Sequence, residues 1–102
     1  EQEGYQILER NWRHRRAEID LIVKKADILI FVEVKTRSNL GFKRLEDAVS
    51  TAKQGLLTNA ASVYMEQVGH EWEIRFDIIT ILYSSQTAYD LQHLPDAFFP
   101  GW

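Results

Sequence analysis

The chain has 102 residues, a formal net charge of −3 and no cysteine. That length supports one domain with a single core, and the missing thiols exclude disulfides and thiolate metal centres. Its apolar and charged fractions, 45% and 26%, are those of a folded globular protein; with no membrane-length apolar run and no signal-like start, a cytoplasmic protein is the expectation.

The chain begins at Glu1 and its one methionine is Met65, so a trimmed or partial chain is expected. Glu1 to Glu3 followed by Gly4 read as the tail of a helix stopped by glycine. Residues 5–12 alternate weakly and predict a first strand. Arg10, Arg13, His14, Arg15 and Arg16 bunch around its exit. Such a bunch is either a solvated basic turn or a phosphate contact.

Residues 18–37, EIDLIVKKADILIFVEVKTR, read as two strands joined by a turn at Lys25, Ala26 and Asp27. Ile19, Leu21 and Val23 alternate with Glu18, Asp20 and Ile22. In the second strand Ile28, Ile30, Val32 and Val34 alternate with Leu29, Phe31, Glu33 and Lys35. Strands that are apolar on both faces are covered on both faces. Asp20, Glu33 and Lys35 are therefore expected at one end of a largely buried sheet. Two carboxylates held together there repel unless a cation or a shared proton relieves them, and a hard divalent metal would do so.

Residues 38–44 form a glycine-bearing basic loop. From residue 45 to about 67 the period becomes helical, with Leu45, Val49, Ala52, Leu56, Ala60 and Val63 on one stripe and Val68-Gly69 as the stop. Lys53 falls inside the apolar sector, where it either snorkels to the nearest edge or reaches the sheet-end carboxylates. Residues 72–82 return to strand; Asp77 within it suits a structural ion pair or membership of the site. Residues 83–102 are rich in turns, and Phe98, Phe99 and Trp102 are expected to lay an aromatic lid on the sheet or on a second copy. The charge is divided: residues 9–53 carry eleven Lys and Arg against seven acids, while residues 54–102 carry one against six. Such a division can turn one positive face toward a polyanion.

Asp20 in EIDLI followed by Glu33-Val34-Lys35 in FVEVKTR, within an α/β chain, resembles the PD-(D/E)xK, or restriction-endonuclease-like, nuclease superfamily. The short spacing, with a hairpin between the two acids, is similar to its Holliday-junction-resolvase-like branch. Closer still is the YraN family of bacterial proteins, in whose order stand GYQILERNWR, EIDLI, FVEVKTR, the Lys53 helix, RFDII and HLPDAF. The resemblance implies a restriction-endonuclease-like core with a mixed sheet of about four strands flanked by helices. It also implies a first helix, with its own acid, lying before Gly4 and largely missing from this chain. Where the family carries glycine before EIDLI, this chain has Ala17, a change that matters only if the backbone there needs positive φ.

By the same resemblance Asp20, Glu33 and the Val34 carbonyl hold Mg²⁺ or Mn²⁺, and Lys35 positions the attacking water. Arg13, Arg15, Arg16, Arg37 and Lys53 meet the nucleic acid. The implied activity is metal-dependent hydrolysis of branched or structured DNA, by a homodimer. An E-x-K triplet also arises as a solvated pair on an edge strand. A non-catalytic nucleic-acid binder and a protein-interaction module on the same fold are the rival readings, since fold does not fix function.

Overall fold

The alternating run at the centre of the chain folds back on itself, and the sheet is built outward from it. The computed structural model describes residues 4–38, 50–83 and 89–98, with the backbone alone for 37, 38 and 89. Its elements run β1 (Gln6–His14), β2 (Ala17–Lys25), β3 (Ile28–Ser38), α1 (Thr51–Val68), β4 (Ile74–Tyr83) and β5 (Tyr89–Leu94). They form one five-stranded sheet in the order β1-β2-β3-β4-β5. Only β3 and β4 are parallel. A parallel pair needs a crossover long enough for a helix, and α1 lies in that crossover.

The expectation of about four strands is corrected by β5. Its sequence, YDLQHL, is polar and largely exposed at the sheet edge, so it lacks the apolar face by which strands are read. Among the described residues there is one helix, and no helix is long and apolar enough to cross a membrane; the further helix implied by the resemblance lies before Gly4. The expected helix tail at residues 1–3 and the loop at 39–44 lie outside the described residues. So do Leu45 and Val49, Phe99 and Trp102.

The β1–β2 and β2–β3 hairpins each turn on two residues, Arg15-Arg16 and Ala26-Asp27. Tight hairpin turns need positive φ at their first central residue, and Arg15 and Ala26 adopt it at 57° and 54°. Ala17 is not among the positive-φ residues, so alanine meets no backbone penalty where the related family has glycine.

One core lies between the sheet and α1. Ile19, Ile22, Leu29, Phe31, Phe76 and Ile78 pack there against Leu57, Ala60, Ala61 and Tyr64. Rings interlock across it: Phe31 stacks on Phe76 at 5.4 Å, Phe76 on Phe98 at 4.8 Å, and Tyr64 meets Phe31 edge-on at 6.2 Å. Phe98 thus takes the sheet rather than a second copy. A smaller cluster of Val23, Ile30 and Val32 fills the opposite face, so the sheet is buried on both sides, as its composition requires.

The expected stripe of α1 is rotated. Its buried residues are Leu57, Thr58, Ala60, Ala61 and Tyr64, whereas Leu56 is 48% exposed and Ala52 is exposed. Apolar residues surround this helix, so its sequence names no single face, and the aromatic contacts of Tyr64 choose one. The described helix begins at Thr51. Ser50 caps it, accepting the Lys53 N–H at 3.2 Å. It stops at Gly69, which takes the left-handed conformation with φ 70°.

Asp77 ties the C-terminal segment to the sheet. Its buried carboxylate accepts from Arg75 Nε at 2.8 Å and Nη2 at 2.9 Å, and from the Asp96 N–H at 3.0 Å; His93 Nε2 lies at 2.7 Å. Ala97 N–H adds a bond to the Phe76 carbonyl at 2.7 Å. This is the structural ion pair expected of Asp77, widened by a histidine and a backbone donor. Burial works against its charge, but the Arg75, Asp96 and His93 contacts outweigh burial and hold the carboxyl below its ordinary value.

A depressed folded pKa contributes stability in full above the unfolded value of about 4 and loses it as pH falls through the folded value. Asp77→Ala is therefore expected to cost about 3 kcal/mol at neutral pH, the scale for breaking a buried pair. As pH falls from about 4 through the lowered folded value, the gap between variant and parent in urea melts should narrow.

Candidate functional site

The site is built where β2 and β3 stop pairing. Their register runs from Lys25↔Ile28 to Leu21↔Val32, so Asp20 is the first residue beyond it. There the Asp20 side chain takes over from the ladder, its Oδ2 accepting the Val34 N–H at 2.7 Å. The alternation changes at the same point: Ile19 and Ile22, three apart, both belong to the helix-side core, and Leu21 and Val23 pack on the opposite face. The expected grouping of Ile19 with Leu21 and Val23 is thereby corrected. A period of two cannot place residues three apart on one face without a local break.

Glu33 points to the helix side and is 4% exposed. Its Oε2 receives two ammonium groups, Lys53 Nζ at 2.5 Å and Lys35 Nζ at 3.1 Å. Of the two placements open to Lys53, the structure takes the one at the sheet. Lys53 stands one turn before Leu57 on the stripe that continues through Ala60, Ala61 and Tyr64, so its stem follows the buried face. A lysine in the first turn opposes the helix dipole, and the Glu33 contact offsets that cost. Thr80, opposite Lys35 in the β3–β4 register, is also buried; its hydroxyl oxygen has no hydrogen-bond partner among the described residues.

The four charges sum to zero, yet they are not equivalent. Burial raises the Asp20 pKa; the Val34 N–H works the other way, and the charge and hydrogen bonding of nearby Glu33 add to the rise. For Lys53, burial disfavours the ammonium, but contact with Glu33 outweighs it and the pKa is raised. Glu33 is thus the satisfied acid of the pair. Asp20 is the acid that would gain most from another cation.

The cluster opens on a cavity of about 450 Å³ lined by Arg16, Glu18, Asp20, Glu33, Lys53 and Leu56, among others. Among the described residues no group of three or more His, Asp or Glu is placed to hold a metal; Asp20 and Glu33 are the acids of the cluster, and Glu18 lines the same cavity. Mg²⁺ is commonly held by one or two carboxylates with water and phosphate oxygens completing the shell, so Asp20 and Glu33 fit such an ion. The Val34 backbone is brought to Asp20 through its N–H.

The basic residues divide. Arg13 pairs with Glu18 at 3.6 Å. Arg15 and Arg16, in the turn, are exposed and without an ion-pair partner among the described residues. The Arg37 side chain lies outside the described residues. Sequence reading missed two contributors: Ser50, which fixes the turn that carries Lys53, and His93, which completes the Asp77 anchor. Ser50 had a visible signal as a capping hydroxyl; His93 had none short of knowing β5.

A sequence profile of the uncharacterised protein family UPF0102 matches residues 1–81. The chain belongs to this family. It is the YraN family of the sequence resemblance, and the matched span contains Asp20, Glu33, Lys35 and Lys53. The chain is 43% identical to a UPF0102 protein of Flavobacterium psychrophilum, over 97% of its own length and 82% of that relative. It is 44% identical to one from Chlorobium phaeobacteroides, over 93% and 80%, and 45% identical to one from Natranaerobius thermophilus, over 93% and 82%.

Burial first, and Glu33 after it, make the charge of Asp20 costly, so removing that charge relieves the fold. Asp20→Asn, which keeps an oxygen for the Val34 N–H, is expected to melt at or above the parent temperature. Glu33→Gln leaves two ammonium groups facing each other and should melt lower, by about 3 kcal/mol on the buried-pair scale. Thermal melts of the two variants at neutral pH check this opposition.

Proposed function

We propose that this UPF0102 chain is a metal-dependent phosphodiesterase with a restriction-endonuclease-like core, acting on branched or otherwise structured DNA. The observation that carries the reading is the convergence of Asp20, Glu33 and Lys53 on one open cavity, with Lys35 paired to the same Glu33 oxygen. A merely structural ion pair has no need of the second carboxylate, whose ionisation the site makes costly.

Asp20 and Glu33, with the Val34 carbonyl, would hold Mg²⁺ or Mn²⁺. Bound there, such an ion would supply Lewis acidity toward the phosphate and lower the pKa of a coordinated water. The chain's own residues do the remainder. Asp20, steered by the Val34 N–H, keeps its second oxygen free of that bond. Lys35, largely buried beside Glu33, holds a fixed positive charge where a phosphorane would develop, in surroundings that strengthen it. Lys53 is poised to exchange Glu33 for a phosphate oxygen once another cation satisfies the acid. Arg15 and Arg16 meet flanking phosphates, and such contacts position a substrate without reading its sequence.

One observation favours a second reading. Both lysines already neutralise Glu33, which would suit a non-catalytic nucleic-acid binder that keeps the fold. Such a protein binds with a steep salt dependence and no metal requirement.

Calorimetric titration of Mn²⁺, paired with cleavage assays on junction, flap and single-stranded DNA, separates the two. The nuclease reading expects saturable binding that is lost in Asp20→Asn and Glu33→Gln. It also expects Mn²⁺-dependent cleavage that falls at least a hundredfold in Lys35→Met. DNA binding unchanged by metal, with no cleavage of any substrate, supports the rival.

A further inference from the structure

A second cavity, of about 600 Å³, adjoins the first. The two share Arg16, Ala17 and Leu56 in their walls, so they form one groove that leads away from Asp20 and Glu33. Along α1 the groove is marked by Lys53, Leu56, Asn59 and Val63, spaced three to four residues apart and therefore on one face. From Lys53 to Val63 this face runs about 15 Å. The opposite wall is the β1–β2 turn, with His14, Arg15 and Arg16.

The two walls differ in chemistry. The turn offers two guanidinium groups with no ion-pair partner among the described residues, held on a tight two-residue hairpin in which Arg15 has φ 57°. A non-glycine residue takes that conformation only where the hairpin fixes it, so the backbone that carries the cations is set by the turn. The helix wall offers apolar side chains, Leu56 at 48% exposed among them, interrupted by the amide of Asn59 and the hydroxyl of Ser62, with the carboxylate of Glu66 at the end away from Lys53. Phosphate suits the first wall. An apolar face bordered by hydrogen-bonding groups suits the second, and a nucleobase has both.

We infer that this groove is a subsite for an unpaired nucleotide of the strand whose phosphate lies at Asp20 and Glu33. Its phosphate rests on Arg15 and Arg16, and its base lies against Leu56 and Val63 with Asn59 at its edge. A base stacked and paired in a duplex cannot present its face to a protein wall, so the occupant is a strand end, flap or branch rather than continuous duplex. The inference rests on the proposed phosphodiesterase reading for the neighbouring phosphate, and binding without metal tests it apart from cleavage.

The test uses the full chain in EDTA, with a fluorescein-labelled single-stranded 15-mer and the same sequence as a blunt duplex, read by anisotropy. Asn59→Leu and Ser62→Leu narrow the groove from exposed helix positions without touching the core. An aliphatic residue is chosen because an aromatic one would itself stack on a base. The expected result is at least tenfold tighter binding of the single strand than of the duplex by the parent. Both variants should lose that preference while holding duplex as before.

Equal binding of strand and duplex by the parent overturns the inference, as does a preference that survives both substitutions. Cleavage that needs Asp20 in a protein without the preference would leave the nuclease reading standing and remove the groove. The preference without any cleavage would do the reverse.

Discussion

Everything at the functional end of this molecule depends on the place where β2 and β3 part. A sheet whose two faces are both buried leaves little freedom for an acid, and this one carries two at the same end. Asp20 is accommodated by standing in for a ladder carbonyl, accepting the Val34 N–H at 2.7 Å. Glu33 is accommodated by two ammonium groups. Neither solution is available to the other residue. Asp20 is beyond the paired register and short enough to fold back on the strand, whereas Glu33 faces the helix, where only long side chains arrive. The local break in β2 is therefore both a structural defect in the ladder and the device that lets a second carboxylate approach the first.

The helix owes its placement to the same constraint. Its first turn carries a lysine rather than the acid that a helix N-terminus favours, and its cap is a bare Ser50 hydroxyl. That is a weak start for a helix whose apolar residues point in all directions. Packing supplies what the local sequence does not: Tyr64 sits between Trp12 and Phe31, and its hydroxyl reaches Glu9 at 3.4 Å. With that turn of the helix fixed, Leu57 is directed into the core and Lys53, one turn earlier, onto Glu33. At the other side of the sheet Asp77 locks the chain's last described turn against β4, so the edge strand β5 is anchored at its C-terminal end.

Much of this is legible in the residues. Alternation finds β2 and β3, and it shows that Glu33 and Lys35 share a face in apolar company. Gly69 ends the helix as glycine should. A helical wheel admits Lys53 to the buried sector but cannot say what it meets, because the partner is on a strand twenty residues earlier. Periodicity misleads in two places. It places Ala52 and Leu56 on the buried stripe of the helix, where both are exposed, and it runs unbroken through Asp20, on either side of which Ile19 and Ile22 share a face. Both errors arise because side-chain pattern records burial and not hydrogen bonding. The polar edge strand β5 and the His93 contact to Asp77 are hidden for the same reason: their partners are fixed by tertiary contacts alone.

The proposed function makes Asp20 and Glu33 a cation site held in reserve by Lys53. Crystals soaked in Mn²⁺ and measured at the manganese edge test it most directly. The account predicts one anomalous peak bridging the Asp20 and Glu33 carboxylates, with the Lys53 ammonium displaced from Glu33 Oε2. Lys53 still seated on Glu33, with no peak between the acids at saturating metal, would contradict it.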